Sequence, residues 1–313
     1  MPTLAQALKL NAAFASKHAR LKPTALFVGG TSGIGQALAQ RLAHHTQGNT
    51  HILLAGRNAD AARVSIDSFP KVANHHHEFL PCDVSLMGNV RYACSTLLAR
   101  QHTDLPRLNF LVLSPGFFTV FSNRDPTDEG IDKKLAVLYY ARWLFIHSLL
   151  PLLQNAAAAG EPAHVYSVLG AGTGSSIDWD DLGLKKRYGA VKAAMVAATY
   201  TDLAMQRFAA HNRTVQFTHA FPGLVRTPMM LPKTWPLKQF GPLISMASRP
   251  FTVAPETCAE YHLSALFSPT DTTANFVRRG AKGDDIGYGP ADEDHVETLW
   301  EHTVREIGAV ESP

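Results

Sequence analysis

A single α/β domain built on a doubly wound parallel sheet is the fold this chain predicts. Three observations point to it. Short β-rich runs alternate with longer helical patterns, and the first run ends in Gly29-Gly30-Thr31-Ser32-Gly33-Ile34-Gly35. The 313 residues, 46% hydrophobic, can bury one large core, and no linker-like tract or internal repeat divides them. Strand and helix alternating at this rhythm give parallel pairs joined by right-handed crossovers, helices on both faces, and a ligand crevice at the carboxyl ends of the strands.

Residues 1–22 carry Lys9, Lys17, Arg20 and Lys22 with no acid, and Leu4, Leu8 and Ala12 recur at helical spacing. They read as an N-terminal helical extension, docked on or loosely attached to a domain spanning 23–313. The same composition is that of a mitochondrial presequence, which stands as the alternative to a cytoplasmic location. Strands are expected at 25–28, 51–55, 78–80, 110–113, 164–167, 215–220 and 275–278, and helices at 34–44, 59–68, 88–100, 128–153, 188–211 and 255–267. The longest apolar stretch, 135–153, contains Arg142 and His147 and meets Pro151, so a buried amphipathic helix is expected there and no membrane span. Its aromatic surface of Tyr139, Tyr140, Trp143 and Phe145 reads as packing on the sheet or a partner helix, with substrate contact the alternative. Residues 228–250 break the alternation, are Pro-rich and apolar, and read as a cap over the crevice.

A small net charge of +3 from scattered basic residues gives no support to a nucleic-acid footprint, and no nucleic-acid partner is expected. Cys82, Cys94 and Cys258 lack metal or redox spacing and suit buried thiols in a reducing compartment. In Asn74-His75-His76-His77-Glu78, adjacent histidines would alternate sides on a strand, so a solvated loop is expected and no metal site.

The chemistry begins at the glycine-rich turn, where Gly29, Gly33 and Gly35 permit positive φ and close backbone approach, and the amides opening the next helix face an anion. Farther along, Tyr188-Gly189-Ala190-Val191-Lys192 sets a phenol and an ammonium at i and i+4, on one face of the expected helix. Two unit charges about 5 Å apart at an effective dielectric near 20 interact by roughly 3 kcal/mol, enough to lower a tyrosine pKa from about 10 by about two units. A tyrosine so tuned exchanges a proton with an alcohol or carbonyl oxygen near neutral pH.

With these motifs in this order, the chain from about Leu26 to Thr227 resembles the short-chain dehydrogenase/reductase family. The resemblance implies a Rossmann-type fold, a nicotinamide cofactor, Tyr188 as general acid/base, and Lys192 lowering its pKa and holding the nicotinamide ribose. It further implies Ser167, at the end of the fifth strand, as the hydroxyl that binds the substrate oxygen. Ser175 and Ser176 lie nearer Tyr188 but in a loop. For the cofactor it implies contacts from Gly29, Thr31, Ser32, Gly33, Ile34 and Gly35, from Asp83 and Val84 after the third strand, from Ser114 and Gly116 after the fourth, and from Pro222, Gly223, Val225 and Thr227 after the sixth. Asp83 reads equally as the N-cap of the next helix. Family members that use NAD usually carry an Asp after the second strand; this chain has Gly56-Arg57-Asn58 there. Arg57 with Asn58 therefore points to NADP(H), the alternative being a solvated loop charge.

Three positions depart from the family pattern: Val28 replaces a Thr, Ser114-Pro115-Gly116 replaces Asn-Ala-Gly, and Leu138 stands where a helix-borne Asn anchors the usual proton relay. The function implied is an NADPH-dependent reductase of a ketone or aldehyde. Met229, Met230, Leu231, Trp235, Leu237 and Phe240 in the cap suggest a hydrophobic small-molecule substrate. The alternatives are a non-redox isomerase, dehydratase or cyclase on the same scaffold, and a non-catalytic NADPH-sensing protein. The N-terminal extension, the Ser-Val-Leu strand end and the long loop before Tyr188 resemble fungal members, many tied to secondary metabolism. Family members often dimerise through the helices expected here at 128–153 and 188–211, so a homodimer is possible unless the terminal segments cover them.

Overall fold

The computed structural model describes residues 1–17, 21–72, 77–117, 119, 123–230, 249–268 and 275–309. Seven strands form one sheet: β1 (Thr24–Val28), β2 (His51–Gly56), β3 (Glu78–Pro81), β4 (Phe110–Leu113), β5 (His164–Val168), β6 (Gln216–Ala220) and β7 (Phe276–Arg279). Every pairing is parallel, in the order β3-β2-β1-β4-β5-β6-β7. All seven fall within one residue of their expected ends. The order reverses between β1 and β4, where connections leave to opposite faces and open a crevice. Registers Val28↔Leu113 and Leu113↔Ser167 bring β1, β4 and β5 to one level at that edge.

Helices cover both faces, which is why β1, β4 and β5 are buried at every residue. On one face, α1 (Leu4–Lys17), α2 (Gly33–His45) and α7 (Pro255–Phe267) bury Phe14, Leu38, Leu42 and Leu263 against Phe27, Leu54, Val112 and Tyr166. On the other, α4 (Met87–Leu98), α5 (Lys133–Ala158), α6 (Ala190–His211) and α8 (Glu293–Ile307) bury Val90, Leu144, Val196 and Leu299 against Leu26, Leu53, Leu111 and Val165. Each such side chain stabilises the fold by ~1.5–3 kcal/mol. The remaining helix, α3 (Ala59–Asp67), follows β2.

Helix α1 is docked, but not by its expected stripe: Ala7, Asn11 and Phe14 face inward while Leu8 is exposed. The Phe14 ring stacks on Phe267 at 3.8 Å, and Asn11 Nδ2 donates to Glu260 Oε2 at 2.7 Å. An aromatic stack and a buried amide thus outweigh the leucine spacing.

Helix α5 begins at Lys133, five residues later than expected, because Asp132 caps it by accepting from the Lys134 and Leu135 amides. It carries a π-helical turn at Ala136–Tyr140 and is buried nearly all round rather than amphipathic. The cause is α8, which lies outside the helices expected from periodicity. Tyr139 Oη pairs with Thr303 Oγ1, Tyr140 Oη with His302 Nε2, and Trp143 meets Trp300 edge to face at 4.7 Å. The aromatic surface is therefore a helix-packing surface.

All three cysteines are buried free thiols, and burial pushes Cys82 up to about 12. Asn74, His75 and His76, and most of the expected cap with Leu231, Trp235, Leu237 and Phe240, lie outside the described residues.

Candidate active site at the carboxyl edge of the sheet

The first turn packs backbone against backbone. Gly29 has φ +81°, and a Cβ there would stand 2.8 Å from Pro115 N, so a side chain is excluded on two counts. Gly35 does not face outward: its Cβ would fall 2.6 Å from Gly29 O and against Ser114 Oγ, which seats α2 on its own turn. Ser32 at the N-cap has extended backbone and makes no side-chain capping bond, leaving the first-turn amides of α2 directed at the crevice. The start of α4 contrasts with this, since Glu129 carboxylate oxygens accept from Met87 N at 2.6 Å and Gly88 N at 2.7 Å. One helix terminus is closed by the chain's own anion; the other faces a cleft.

That cleft has a volume of about 440 Å³. Of the residues expected to contact a cofactor, Gly29, Thr31, Ser32, Gly33, Ile34, Arg57, Asp83, Val84, Ser114, Gly116 and Thr227 line it. Gly35, Asn58, Pro222, Gly223, Val225, Tyr188 and Lys192 are not on its wall, nor is Ser167. Asn58 instead caps α3, its Oδ1 accepting from Ala61 N at 2.9 Å. Val225 is buried and bridges to Val253, and Pro222 O lies 3.8 Å from Cys258 Sγ. The wall also includes Gly56, Pro115, Phe117, Lys133, Val137 and Met229. Gly56 and Pro115 belong to the motifs already quoted; no local motif announces Phe117, Lys133 or Val137, which the end of β4 and the start of α5 bring in.

Arg57 is largely exposed, its Nη1 3.9 Å from Asp83 Oδ2. Asp83 does not cap α4, whose N-cap is Leu86; its Oδ1 accepts from Ser85 N at 3.0 Å and Ser85 Oγ at 2.8 Å. Burial pushes the Asp83 pKa up, but the two Ser85 bonds with Arg57 and Lys133 outweigh it, and the carboxyl stays below its ordinary value. Thr227 Oγ1 is buried at the cleft wall with no hydrogen-bond partner among the described residues. A buried hydroxyl in that position would be satisfied by a polar ligand group. Gly-rich backbone, open helix amides, one exposed guanidinium and an orphan hydroxyl together fit a dinucleotide, which the α2 amides would hold by its phosphates.

Ser167 is fully buried one residue before the end of β5, and its Oγ accepts from Arg142 Nη1 at 2.7 Å. Lys192 lies in the first turn of α6, with Nζ 3.9 Å from Asp178 Oδ2; Arg187 Nη1 is 3.5 Å from the same oxygen. Tyr188 corrects the expectation of a shared helix face. Helix α6 starts at Ala190 and its N-cap, Gly189, is extended at φ −154°, ψ 129°. Tyr188 therefore precedes the helix, half-buried against the core. Two causes are visible. Glycine forms helix poorly, and the Asp181 carboxylate binds the amides of Lys185, Lys186 and Arg187 at 2.6, 2.9 and 2.8 Å, wrapping the approach into a loop. Asp178 is the acidic neighbour of Lys192 that spacing did not reveal. Ser175 and Ser176 lie in the loop between β5 and α6, and Leu138 sits in the π-turn with Cδ2 3.7 Å from where a Gly116 Cβ would be.

Residues 23–235 match the short chain dehydrogenase family. Over 231 residues the chain is 37% identical to the oxidoreductase andH of Emericella variicolor, covering 74% of this chain and 65% of that protein. Over 205 residues it is 40% identical to an oxidoreductase of Emericella nidulans, covering 65% of this chain and 59% of that one. The match thus spans less than two thirds of either relative. Among solved structures, the NADP complex of Pseudomonas aeruginosa RhlG superimposes with a TM-score of 0.60 at 20% identity, over 83% of this chain and 95% of that chain.

Proposed function

The chain belongs to the short chain dehydrogenase family, whose members bind a nicotinamide cofactor, and from that premise we propose that it is an NADPH-dependent reductase of a ketone or aldehyde on a hydrophobic small molecule. The observation that carries the cofactor choice is Arg57 on the cleft wall beside Gly56, with no carboxylate at the end of β2. A guanidinium there attracts a ribose 2′-phosphate, whereas a carboxylate would repel it and bind a 2′-hydroxyl. The NADP complex of the RhlG structure is in keeping with the reading.

The nicotinamide, when bound, supplies the hydride. Tyr188 protonates the substrate oxygen, Ser167 donates a hydrogen bond to that oxygen as negative charge grows on it, and Lys192 keeps the phenol acidic. Because Tyr188 lies outside α6, helical spacing does not hold it near Lys192; the loop from Ser167 to Tyr188 has to. Thr227 and the α2 amides would hold the cofactor, and Phe117, Val137 and Met229 line an apolar wall that suits a hydrophobic substrate.

A second reading is a non-redox isomerase, dehydratase or cyclase on this scaffold. Leu138 packed toward Gly116, with no amide to anchor a relay, favours it. The test is NADPH oxidation at 340 nm, compared with NADH, over hydrophobic ketones and quinones for wild type and Tyr188→Phe. Oxidation that prefers NADPH and collapses in the variant supports the reductase. Product formation without any absorbance change establishes the second reading.

A further inference from the structure

Arg142 is 2% exposed, in the interior of the face between the sheet and α5. Its Nη1 donates to Leu113 O at 2.9 Å and to Ser167 Oγ at 2.7 Å, and its Nη2 donates to Pro115 O at 2.6 Å. One guanidinium therefore ties together the end of β4, the turn that walls the cleft, and the end of β5. Its place follows from the π-turn just before it. The wider turn shifts the helix phase by about one residue, and the second residue beyond it is the one that reaches the sheet edge.

The charge is unusual as well as the contacts. Among the described residues no carboxylate pairs with Arg142, and its Nε has no partner. Burial alone pushes its pKa down, to about 9, which leaves it charged at neutral pH. A buried cation without a counter-charge destabilises a fold unless its surroundings or its function compensate. Here three oxygen dipoles compensate in part. One of the three, Ser167, is the group that in the proposed reaction donates to an oxygen gaining negative charge.

Serine carries one proton and two lone pairs, and its hydroxyl turns to suit its neighbours, whereas arginine only donates. The Arg142 bond therefore takes a lone pair of Ser167 Oγ and excludes the rotamer that aims the Ser167 proton at α5. Leu113 O and Pro115 O accept from the same guanidinium and fix its plane against the strand ends. We propose that Arg142 is a positioning residue for the reduction: it holds Ser167 with its proton free to be donated to the substrate oxygen, and sets a fixed positive charge behind that donor. This rests on the reductase reading and on the role of Ser167 in it.

The experiment is a double-mutant cycle with Ser167→Ala and Arg142→Gln, repeated with Arg142→Lys, after NADPH binding by fluorescence and a thermal melt establish that each variant is folded. In the wild-type background we expect Arg142→Gln to lower kcat by on the order of 100-fold, as removal of one preorganised donor does, with KM and NADPH affinity within about threefold. Arg142→Lys should fall between, since it keeps the charge but reaches fewer acceptors. In the Ser167→Ala background neither change should cost more than about twofold, because Arg142 acts through a hydroxyl no longer present. Costs equal in both backgrounds, or lost with KM and cofactor binding together, would show a purely structural anchor and overturn the assignment. Should Arg142→Gln not fold, Arg142→Lys decides on the same comparison. Absence of NADPH oxidation by wild type, or oxidation indifferent to Tyr188→Phe, overturns the reductase reading and the Arg142 role with it. Tyr188-dependent turnover with additive Arg142 costs overturns the Arg142 role alone.

Discussion

Tyr139 Oη and Thr303 Oγ1 lie 2.7 Å apart, both buried, and through that bond the C-terminal helix is fastened to the middle of the molecule. Around it Trp143 meets Trp300, and Arg207 pairs with Glu297 and lies over the Trp300 ring at 4.4 Å. Helix α8 is thus part of the core. Tyr139→Phe should cost ~0.5–1.5 kcal/mol, since Thr303 keeps its bond to Leu299 O at 2.8 Å. Trp143→Ala should cost ~3–5 kcal/mol. Urea denaturation measures both; equal small losses would mean that α8 is a loose appendage.

The same packing bears on self-association. Helix α8 lies over α5 and α6, the helices through which the family resemblance implied a dimer. Gel filtration with light scattering should therefore give the mass of one chain. A mass of two chains that holds on dilution would contradict this.

Arg57→Ala should weaken NADPH binding by about 10–100-fold and leave NADH nearly unchanged, the span expected when a charged hydrogen-bond donor is lost. Fluorescence titration with both nucleotides decides it. Parallel losses for the two would return Arg57 to a surface charge.

Gly29→Ala forces a β-carbon into a left-handed backbone, at ~1–2 kcal/mol, and into the backbone of Pro115. We expect a lowered melting temperature and at least a tenfold loss of NADPH affinity, from displacement of the turn that opens α2. Unaltered affinity would mean that the cleft does not hold the phosphates.

Acid sensitivity should begin above the carboxylate range. Burial holds His164, His262 and His302 at about 4, below their ordinary 6.5. A lowered pKa in the folded state means stability that is complete above pH 6.5 and lost as pH falls toward 4, on the order of 3 kcal/mol at most for each group. Glu78, held at about 2 by His51 and then Arg100, adds a second loss between pH 4.5 and 2. Denaturation between pH 7 and 4 should show stability falling, and a flat profile would contradict the burial of these rings.

Much of this was legible in local pattern. The central strands β1, β4 and β5 are apolar, β-rich runs between turn residues, because a strand buried on both faces tolerates little else. The α8 helix carries local signals as well: Asp292 caps it, accepting from Asp294 N, Gly308 ends it at φ +60°, and Val296, Leu299, Thr303 and Ile307 make its buried stripe. The expected helix through Tyr188 failed where tertiary contacts at Asp181 outweighed a four-residue spacing.

The sheet, its strand ends and the first turn follow from local pattern, since they depend on residue types within a few positions of one another. Which polar groups face each other across the strand ends is set by packing. Arg142 meeting Ser167, Asp178 meeting Lys192, and Lys133 with Val137 completing the cleft join segments distant along the chain, and a side chain's partner there follows from the packing of whole helices on the sheet.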